Sequence, residues 1–215
     1  YADMGILLVR TNPNAHKHEG ITFLLFDMKQ RGVEVRPLIQ AHGAGHFAEV
    51  FIDGAKCHVS NVLGEVDKGW GPARAVMSNE SAMIGGASGD NPQQLIQLAQ
   101  ELGKVDEPVI RQKLVAVYAR NKLLKIMSEK ISAAIRKGMP PPIHPSIVKL
   151  YVAHNRRLEG DLAQSLLGAA GVAVNNKASE WAMELLHARY PISIGGGTDE
   201  VHRNNLGEQA LGLPR

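Results

Sequence analysis

The chain contains 215 residues with a mass of 23.3 kDa, which is enough for one large domain or two small ones around a buried core. Hydrophobic residues account for 44% and charged residues for 21%, and the net charge of +3 is too small a surplus to indicate a nucleic-acid partner. No apolar run approaches the roughly 18 residues that a membrane span requires, and the single cysteine, Cys57, excludes an internal disulfide framework and a cysteine-rich zinc site.

The first 64 residues have the pattern of β-strands. Four short runs rich in β-branched or aromatic residues are separated by turn sequences, and no helix-length segment interrupts them. This order favours an antiparallel meander or half of a barrel over a parallel sheet. Because the chain opens with Tyr1 and enters the first strand at once, we expect an N-terminal part of the protein to precede this sequence. The predicted strands are residues 6–10, 21–26, 33–39 and 48–52.

After Trp70 the hydrophobic period changes to that of helices, with breaks at residues 85–92 and 138–142. The clearest helix begins near Asp106, with acidic residues and a proline in its first turn, and ends at Gly138. Its apolar residues recur in steps of three, four or seven, which is typical of a seam packed against other helices. The seam consists of Ile110, Leu114, Val117, Leu124, Met127, Ile131 and Ala134.

Three more helices are predicted at residues 146–167, 177–188 and 198–208. The first of these has one apolar face, made of Ile147, Leu150, His154, Leu158, Leu162 and Leu166. The sequence therefore predicts an α+β fold that is mostly α, with an antiparallel half-barrel segment over residues 1–64 and a four-helix-bundle-like domain over residues 65–215.

Two features rich in basic side chains have structural explanations. His42 and His46 are separated by glycines, which argue against the helix that would aim both rings at one metal, so we predict turn histidines and no metal site. The stretch 111–137 holds eight lysine or arginine residues, which fall largely off the apolar seam. A solvated face of the bundle is the favoured interpretation of that stretch.

Two further features bear on function. The glycines at 195–197 precede Thr198 without the lysine of a Walker loop, and two interpretations stay open: a helix cap on a surface loop, or a place where a ligand approaches the backbone closely. Glu80 lies among apolar or small residues on a predicted helix. It is either a solvated residue at the helix edge or, if it faces a closed cleft, a candidate general base.

Four segments in order along the chain, residues 20–38, 49–70, 165–172 and 195–215, together resemble the C-terminal part of the acyl-CoA dehydrogenase family. The last segment, GGGTDEVHRNNLGEQALGLPR, is the most specific. The resemblance implies that residues 1–64 end the family's middle β-domain and that residues 65–215 form its C-terminal helical domain. It also implies FAD as cofactor, an acyl-CoA substrate, electron-transfer flavoprotein as electron acceptor, a homo- or hetero-oligomer, a role in fatty acid metabolism and a cytoplasmic location.

The family's reaction is α,β-dehydrogenation of an acyl-CoA thioester to the trans-2-enoyl-CoA. A glutamate removes the α-proton while the β-hydrogen leaves as hydride to FAD. In many members that glutamate directly precedes the Gly-Thr of the C-terminal signature, where this chain has Gly196. In another branch it lies on the helix after the Lys-Gly-Trp segment, and the resemblance then implies Glu80 as the base.

The chain also departs from the family pattern. Ser81 follows Glu80 where the family usually has arginine, and an inserted segment at 90–108 replaces the R-x-x-F-G flavin motif. These departures leave open a non-catalytic, cofactor-sharing partner subunit of a heteromeric enzyme. An acyl-CoA oxidase on the same fold also stays open, because fold alone does not fix the reaction.

The resemblance implies site residues position by position. Arg111 and Gln112 match a dipeptide on the long helix that reaches the FAD of a neighbouring subunit, and Ser165, Gly168 and Ala169 match a flavin-binding turn. At the start of the last helix the implied flavin-binding residues are Thr198, Asp199, Glu200 and Val201. The implied substrate-binding residues are Ser78, Ser81 and Gly197, and no metal ligand is implied.

Overall fold

The computed structural model describes residues 2–43, 45–77 and 91–214. The chain divides into two compact units, Tyr1–Asn79 and Glu80–Arg215. Strands occupy the first unit and long helices the second, so the α+β, mostly α class is confirmed. The assignment of residues 1–64 and 65–215 to two family domains stays a prediction.

Two antiparallel strand pairs make up most of the first unit. β1 (Met4–Arg10) pairs with β2 (Ile21–Asp27), and β3 (Val33–Leu38) pairs with β4 (Phe47–Ile52). All four strands match the predicted runs to within two residues. In β2 the side chains of Phe23 and Phe26 are buried, which supplies the apolar centre of this unit.

A glycine fixes the segment that follows the strands. The amide of Gly69 donates to the carbonyl of Ile21 at 2.6 Å, and a Cβ at Gly69 would lie 2.3 Å from the backbone nitrogen of Phe23. Only glycine fits this close backbone approach. Beside it, Trp70 stacks on His18 with ring centroids 4.0 Å apart, and residues 70–77 are helical (α1).

The second unit is a helical assembly, and its elements differ from the predicted ones mainly at their ends. Its helices are α2 (Asn91–Glu101), α3 (Pro108–Arg136), α4 (Pro145–Leu167), α5 (Lys177–Ile194) and α6 (Asp199–Asn205). None of the helices within the described ranges is long and apolar enough to span a membrane.

Three predicted helix boundaries were wrong. α2 begins at Asn91, inside the predicted break at 85–92. α5 does not stop at residue 188 but continues through Pro191, whose carbonyl accepts the amide of Gly195 at 2.7 Å. α6 is shorter than predicted, because the chain widens after Asn205 into the π-helical turn Leu206–Ala210.

The core of the second unit lies between α2, α3, α4 and α5. The predicted seam of α3 is confirmed: four of its members are buried, and Met127 and Ile131 pack against the buried residues. Where α4 meets α5, a Cβ at Gly160 would lie 2.9 Å from the carbonyl oxygen of Leu185, so glycine allows the two helices to touch. The main core cluster comprises Leu95, Leu98, Ala99, Ile110, Leu114, Val117, Leu162, Ala163, Leu166, Ala182 and Leu185.

The predicted apolar face of α4 was partly wrong. Ile147 and His154 are exposed, whereas Lys149 and Glu159 on the same helix are buried. α4 therefore buries charged side chains as well as apolar ones.

Candidate functional site

The loop between α5 and α6 is built from glycines in a conformation that other residues rarely adopt. Gly196 and Gly197 have φ angles of 68° and 102°, in the left-handed region. Thr198 then caps α6, since its hydroxyl accepts the amide of Val201 at 3.3 Å. The helix-cap interpretation of this loop is thus confirmed.

A buried histidine ties this loop to the first turn of α4. The Nε2 atom of His202 lies 2.9 Å from the carbonyl oxygen of Gly196, and its Nδ1 atom lies 2.9 Å from the hydroxyl of Ser146. A carbonyl only accepts, so Nε2 carries the proton; in the neutral ring Nδ1 then accepts from Ser146. The imidazole is 6% exposed and is bonded at both ends.

A buried ion cluster lies directly after the loop. The two carboxylate oxygens of Asp199 meet Lys149 at 3.2 Å and Arg157 at 2.6 Å. Lys149 is 1% exposed, and Arg157 also donates to the hydroxyl of Ser193 at 2.8 Å. The cluster joins α4, α5 and α6 and neutralises the carboxylate of Asp199 with two cations.

An open pocket of about 420 Å³ lies over this cluster. Arg189 at its edge pairs with Asp161 at 2.9 Å and donates to the hydroxyl of Tyr190 at 3.0 Å. Guanidinium and hydroxyl donors of this kind suit phosphate and ribose groups. The pocket is lined by Arg157, Arg189, Tyr190, Ser193, Ile194, Thr198, Asp199 and Glu200.

Three of these lining residues, Thr198, Asp199 and Glu200, were predicted from the sequence, and the others were not. Tyr190 and Ser193 lie within two turns of the glycine loop on α5, so their nearness along the chain could have indicated them. Arg157 comes from α4, and no pattern in the sequence connects it with this loop.

The remaining predicted flavin-side residues gather at the other end of α4. Ser165 is exposed on the last turn, and Lys113 of α3 approaches its hydroxyl to 3.5 Å. Gly168 ends the helix with φ of 58° and donates its amide to Gln164. Exposed side chains at this end include those of Arg111, Gln112 and Ala169.

The structure thus separates the predicted flavin-side residues into two groups. The loop group, Thr198–Val201, is anchored through Asp199 to Lys149 near the start of α4, and Gly197, a predicted substrate residue, directly precedes it. The turn group consists of Arg111, Gln112, Ser165, Gly168 and Ala169. From Lys149 to Ser165 the helix rises about 24 Å at about 1.5 Å per residue. The predicted base Glu80 and the predicted substrate residues Ser78 and Ser81 lie outside the described residues.

A second buried carboxylate was not foreseen. Glu159 of α4 accepts hydrogen bonds from Asn91, Asn121 and Asn155 at 2.8–2.9 Å and pairs with Arg156 at 2.8 Å. These donors come from α2, α3 and α4, so the carboxylate joins three helices. These four donors occupy the acceptor positions of the carboxylate, so we assign Glu159 a structural role in holding the three helices together.

The two histidines at 42 and 46 form no metal centre with other described residues. Their ring centroids lie 6.4 Å apart, and the planes of the two rings are inclined by 39° to each other. Over residues 2–43, 45–77 and 91–214, no three His, Cys, Asp or Glu side chains are placed to hold one metal ion.

Comparison with known proteins connects this architecture to one family. A family model described as acyl-CoA dehydrogenase, C-terminal domain, matches residues 67–211. Acyl-CoA dehydrogenase IpdE1 of Mycolicibacterium smegmatis is 30% identical over 224 residues, covering 100% of this chain and 55% of that protein. Acyl-CoA dehydrogenase FadE34 of Mycobacterium tuberculosis is 32% identical over 216 residues, covering 100% of this chain and 29% of that protein. The chain spans about half the length of IpdE1 and less of FadE34.

Two solved structures share the fold. The Tcur3481-Tcur3483 steroid ACAD has a TM-score of 0.86 at 22% identity and covers 100% of this chain and 57% of that chain. The ChsE4-ChsE5 complex from Mycobacterium tuberculosis has a TM-score of 0.80 at 25% identity, covering 100% of this chain and 58% of that chain. Both are named as pairs of different proteins.

Proposed function

The chain belongs to the acyl-CoA dehydrogenase family, and from that membership we propose that its protein catalyses FAD-dependent α,β-dehydrogenation of an acyl-CoA thioester to the trans-2-enoyl-CoA. The observation that carries the proposal is the pocket between α4, α5 and α6, because the family's C-terminal signature supplies the helix cap Thr198 and the neighbouring residues Asp199 and Glu200 that line it. Electron-transfer flavoprotein is the proposed electron acceptor, and the proposed location is the cytoplasm.

The residues around the loop fit a flavin dinucleotide. Thr198 and Ser193 line the pocket with hydroxyl side chains, and Thr198 directly follows the two left-handed glycines of the loop. The carboxylate of Asp199 faces two cations, so its charge would not repel a phosphate. Bound FAD would supply the hydride acceptor of the reaction.

Glu80 is the proposed base that takes the α-proton. The family's other position for the base is Gly196, which has no side chain and whose φ of 68° disfavours any residue that has one. The proton-accepting role therefore falls to the helix after the Lys-Gly-Trp segment. Ser78, Ser81 and Gly197 are the proposed contacts to the substrate.

The turn group is proposed to contact the cofactor of a neighbouring subunit. It lies about 24 Å along α4 from the anchor of the loop group, and its side chains are exposed rather than directed at the pocket. Exposed cofactor-binding residues are expected where a second subunit, identical or different, covers them and completes the binding site. We therefore propose a homo- or hetero-oligomer.

A second candidate function is a non-catalytic, cofactor-sharing partner subunit. Gly196 lacks the carboxylate that many family members have there, Ser81 replaces the usual arginine, and the R-x-x-F-G motif is absent. Both solved structures described above are named as pairs of different proteins, which supports a heteromeric assembly as the setting for such a subunit.

An anaerobic absorbance titration of the protein at its natural length tests the two functions. Loss of the visible flavin band on adding members of an acyl-CoA panel supports the dehydrogenase and gives its substrate class. Bound flavin that no thioester bleaches supports the partner subunit. A preparation that binds no flavin contradicts both, and peroxide formed in air supports the oxidase.

The base is tested by Glu80→Gln, with Glu180→Gln as the matched control. Glu180 is exposed in the first turn of α5, so its substitution should leave turnover unchanged. Glu80→Gln should bind flavin and thioester but lose flavin reduction by more than about 100-fold, since general-base catalysis contributes at least that factor. Full turnover in Glu80→Gln would show that Glu80 is not the base.

A further inference from the structure

We propose that His202 is a positioning residue that sets the conformation of the cofactor-binding loop Gly195–Thr198. Its ring holds the carbonyl of Gly196 to Ser146 on α4, and this bond directs Thr198 toward the pocket. The inference rests on the proposed function in one respect: the ligand whose binding depends on the loop is FAD.

The loop needs such a contact because its own residues provide little restraint. Gly196 and Gly197 have no side chains to pack, and glycine has more backbone freedom than any other residue. Only hydrogen bonds can therefore fix the loop. The amide of Gly195 bonds to Pro191 at 2.7 Å, which fixes the start of the loop, and the His202 ring bonds to the carbonyl of the next residue.

The ring is itself held rigidly. Both of its nitrogens are hydrogen-bonded, so it cannot rotate without breaking two bonds in a buried site. A Cβ at Gly197 would lie 3.0 Å from Nε2, which shows that the ring packs directly against the loop backbone. His202 thus fills the space in which a side chain of the loop would otherwise lie.

The beginning of α4 anchors both sides of the loop. Ser146 holds Gly196 through the His202 ring, and Lys149, one helical turn later, holds Asp199 at 3.2 Å. Thr198 lies between these two anchors and lines the pocket. The position of its hydroxyl therefore depends on both anchors, and the histidine bonds the glycine segment itself.

The test compares His202→Ala and His202→Gln in the protein at its natural length. Glutamine keeps an N–H that can donate to the carbonyl of Gly196, and alanine does not. The matched control is His187→Ala, because His187 also bonds a backbone carbonyl, that of Met183 at 2.9 Å, but lies away from the loop on α5. The measurements are FAD affinity of the apoprotein by fluorescence titration and the melting temperature of each variant.

FAD affinity is expected to fall about tenfold in His202→Ala, to return to within about threefold of wild type in His202→Gln, and to stay unchanged in His187→Ala. Wild-type affinity in His202→Ala would overturn the proposal. So would an equal loss in His202→Gln, because that result assigns the effect to ring packing rather than to the bond with Gly196.

Hydrogen exchange separates this proposal from the proposed function. If the wild-type protein binds no FAD, the proposed function fails, and the amide exchange of residues 197–201 still tests the contact. Faster exchange there in His202→Ala, with wild-type rates in His202→Gln and His187→Ala, supports the positioning role. Unchanged exchange in His202→Ala overturns it.

Discussion

Replacing Asp199 by alanine would leave two cations of α4 facing a buried site without their shared carboxylate. Lys149 is 1% exposed and its ammonium lies 3.2 Å from Asp199, so it cannot reach water when the carboxylate is removed. Removing one partner of a buried ion pair typically costs about 3–5 kcal/mol, because the other charge stays buried. The side chain of Arg157 is 41% exposed and can turn to solvent, so we assign the expected loss mainly to Lys149.

A companion variant isolates that cause. Lys149→Met removes the buried cation and leaves Asp199 paired with Arg157, so we expect a loss of only about 1 kcal/mol. Adding Lys149→Met to Asp199→Ala should recover about 2 kcal/mol, since the uncompensated charge is then gone. Urea denaturation followed by circular dichroism gives all three free energies of unfolding. A loss below about 1 kcal/mol in Asp199→Ala, or a double variant no more stable than Asp199→Ala, would refute the reasoning.

Two further predictions concern packing and pH. Gly160→Ala should lower the free energy of unfolding by about 1–3 kcal/mol, because its Cβ would meet backbone of α5 at 2.9 Å. The control is Gly71→Ala, at a helical position where a Cβ would meet nothing within 4 Å, and it should be neutral or stabilising in the same urea assay. Equal losses of unfolding free energy in the two variants would contradict the packing argument. His154 is exposed as a whole, but partial desolvation of its ring and the charges of Arg120 and Arg157 lower its pKa from the ordinary value of 6.5. The stability contributed by the neutral ring is therefore present above pH 6.5 and is lost as pH falls through the lowered pKa. The melting temperature should therefore decline from about pH 7.5 to about pH 5 and decline less in His154→Gln, and an identical slope in that variant would contradict the assignment.

The hydrophobic period identified most elements because burial in a sheet or a bundle repeats at a fixed spacing. The strand runs coincide with β1–β4 to within two residues, and the seam of α3 is buried at Ile110, Leu114, Val117 and Leu124. The seam packs against two successive clusters, one with Ile110, Leu114 and Val117 and one with Leu124, and its helical period continues through both, so local sequence is sufficient to find it. The cap at Thr198 could be read in the same way, because capping depends on neighbours along the chain.

The buried charges could not be predicted in this way. A lysine or glutamate on a helix is ordinarily exposed, so the pattern of α4 indicated a face containing Ile147 and His154. The structure buries Lys149 and Glu159 instead. Each is compensated by groups from other helices: Asp199 of α6 pairs with Lys149, and asparagines of α2 and α3 donate to Glu159. Such pairs become visible only when the helices are packed together.

The distance between the two proposed cofactor-binding groups, the loop group and the turn group, also depends on the folded structure. The family resemblance implied both groups, but only the length of α4 places them about 24 Å apart. The start of α4 anchors the glycine loop through Ser146 and Lys149, and its last turn presents Ser165 on an exposed surface. Because a helix of this length is stiff, neither group can move toward the other without disrupting the core that α4 shares with α3 and α5. A subunit built in this way would serve its own cofactor at one end of α4 and that of a neighbouring subunit at the other, which is why we propose that the functional unit is an oligomer.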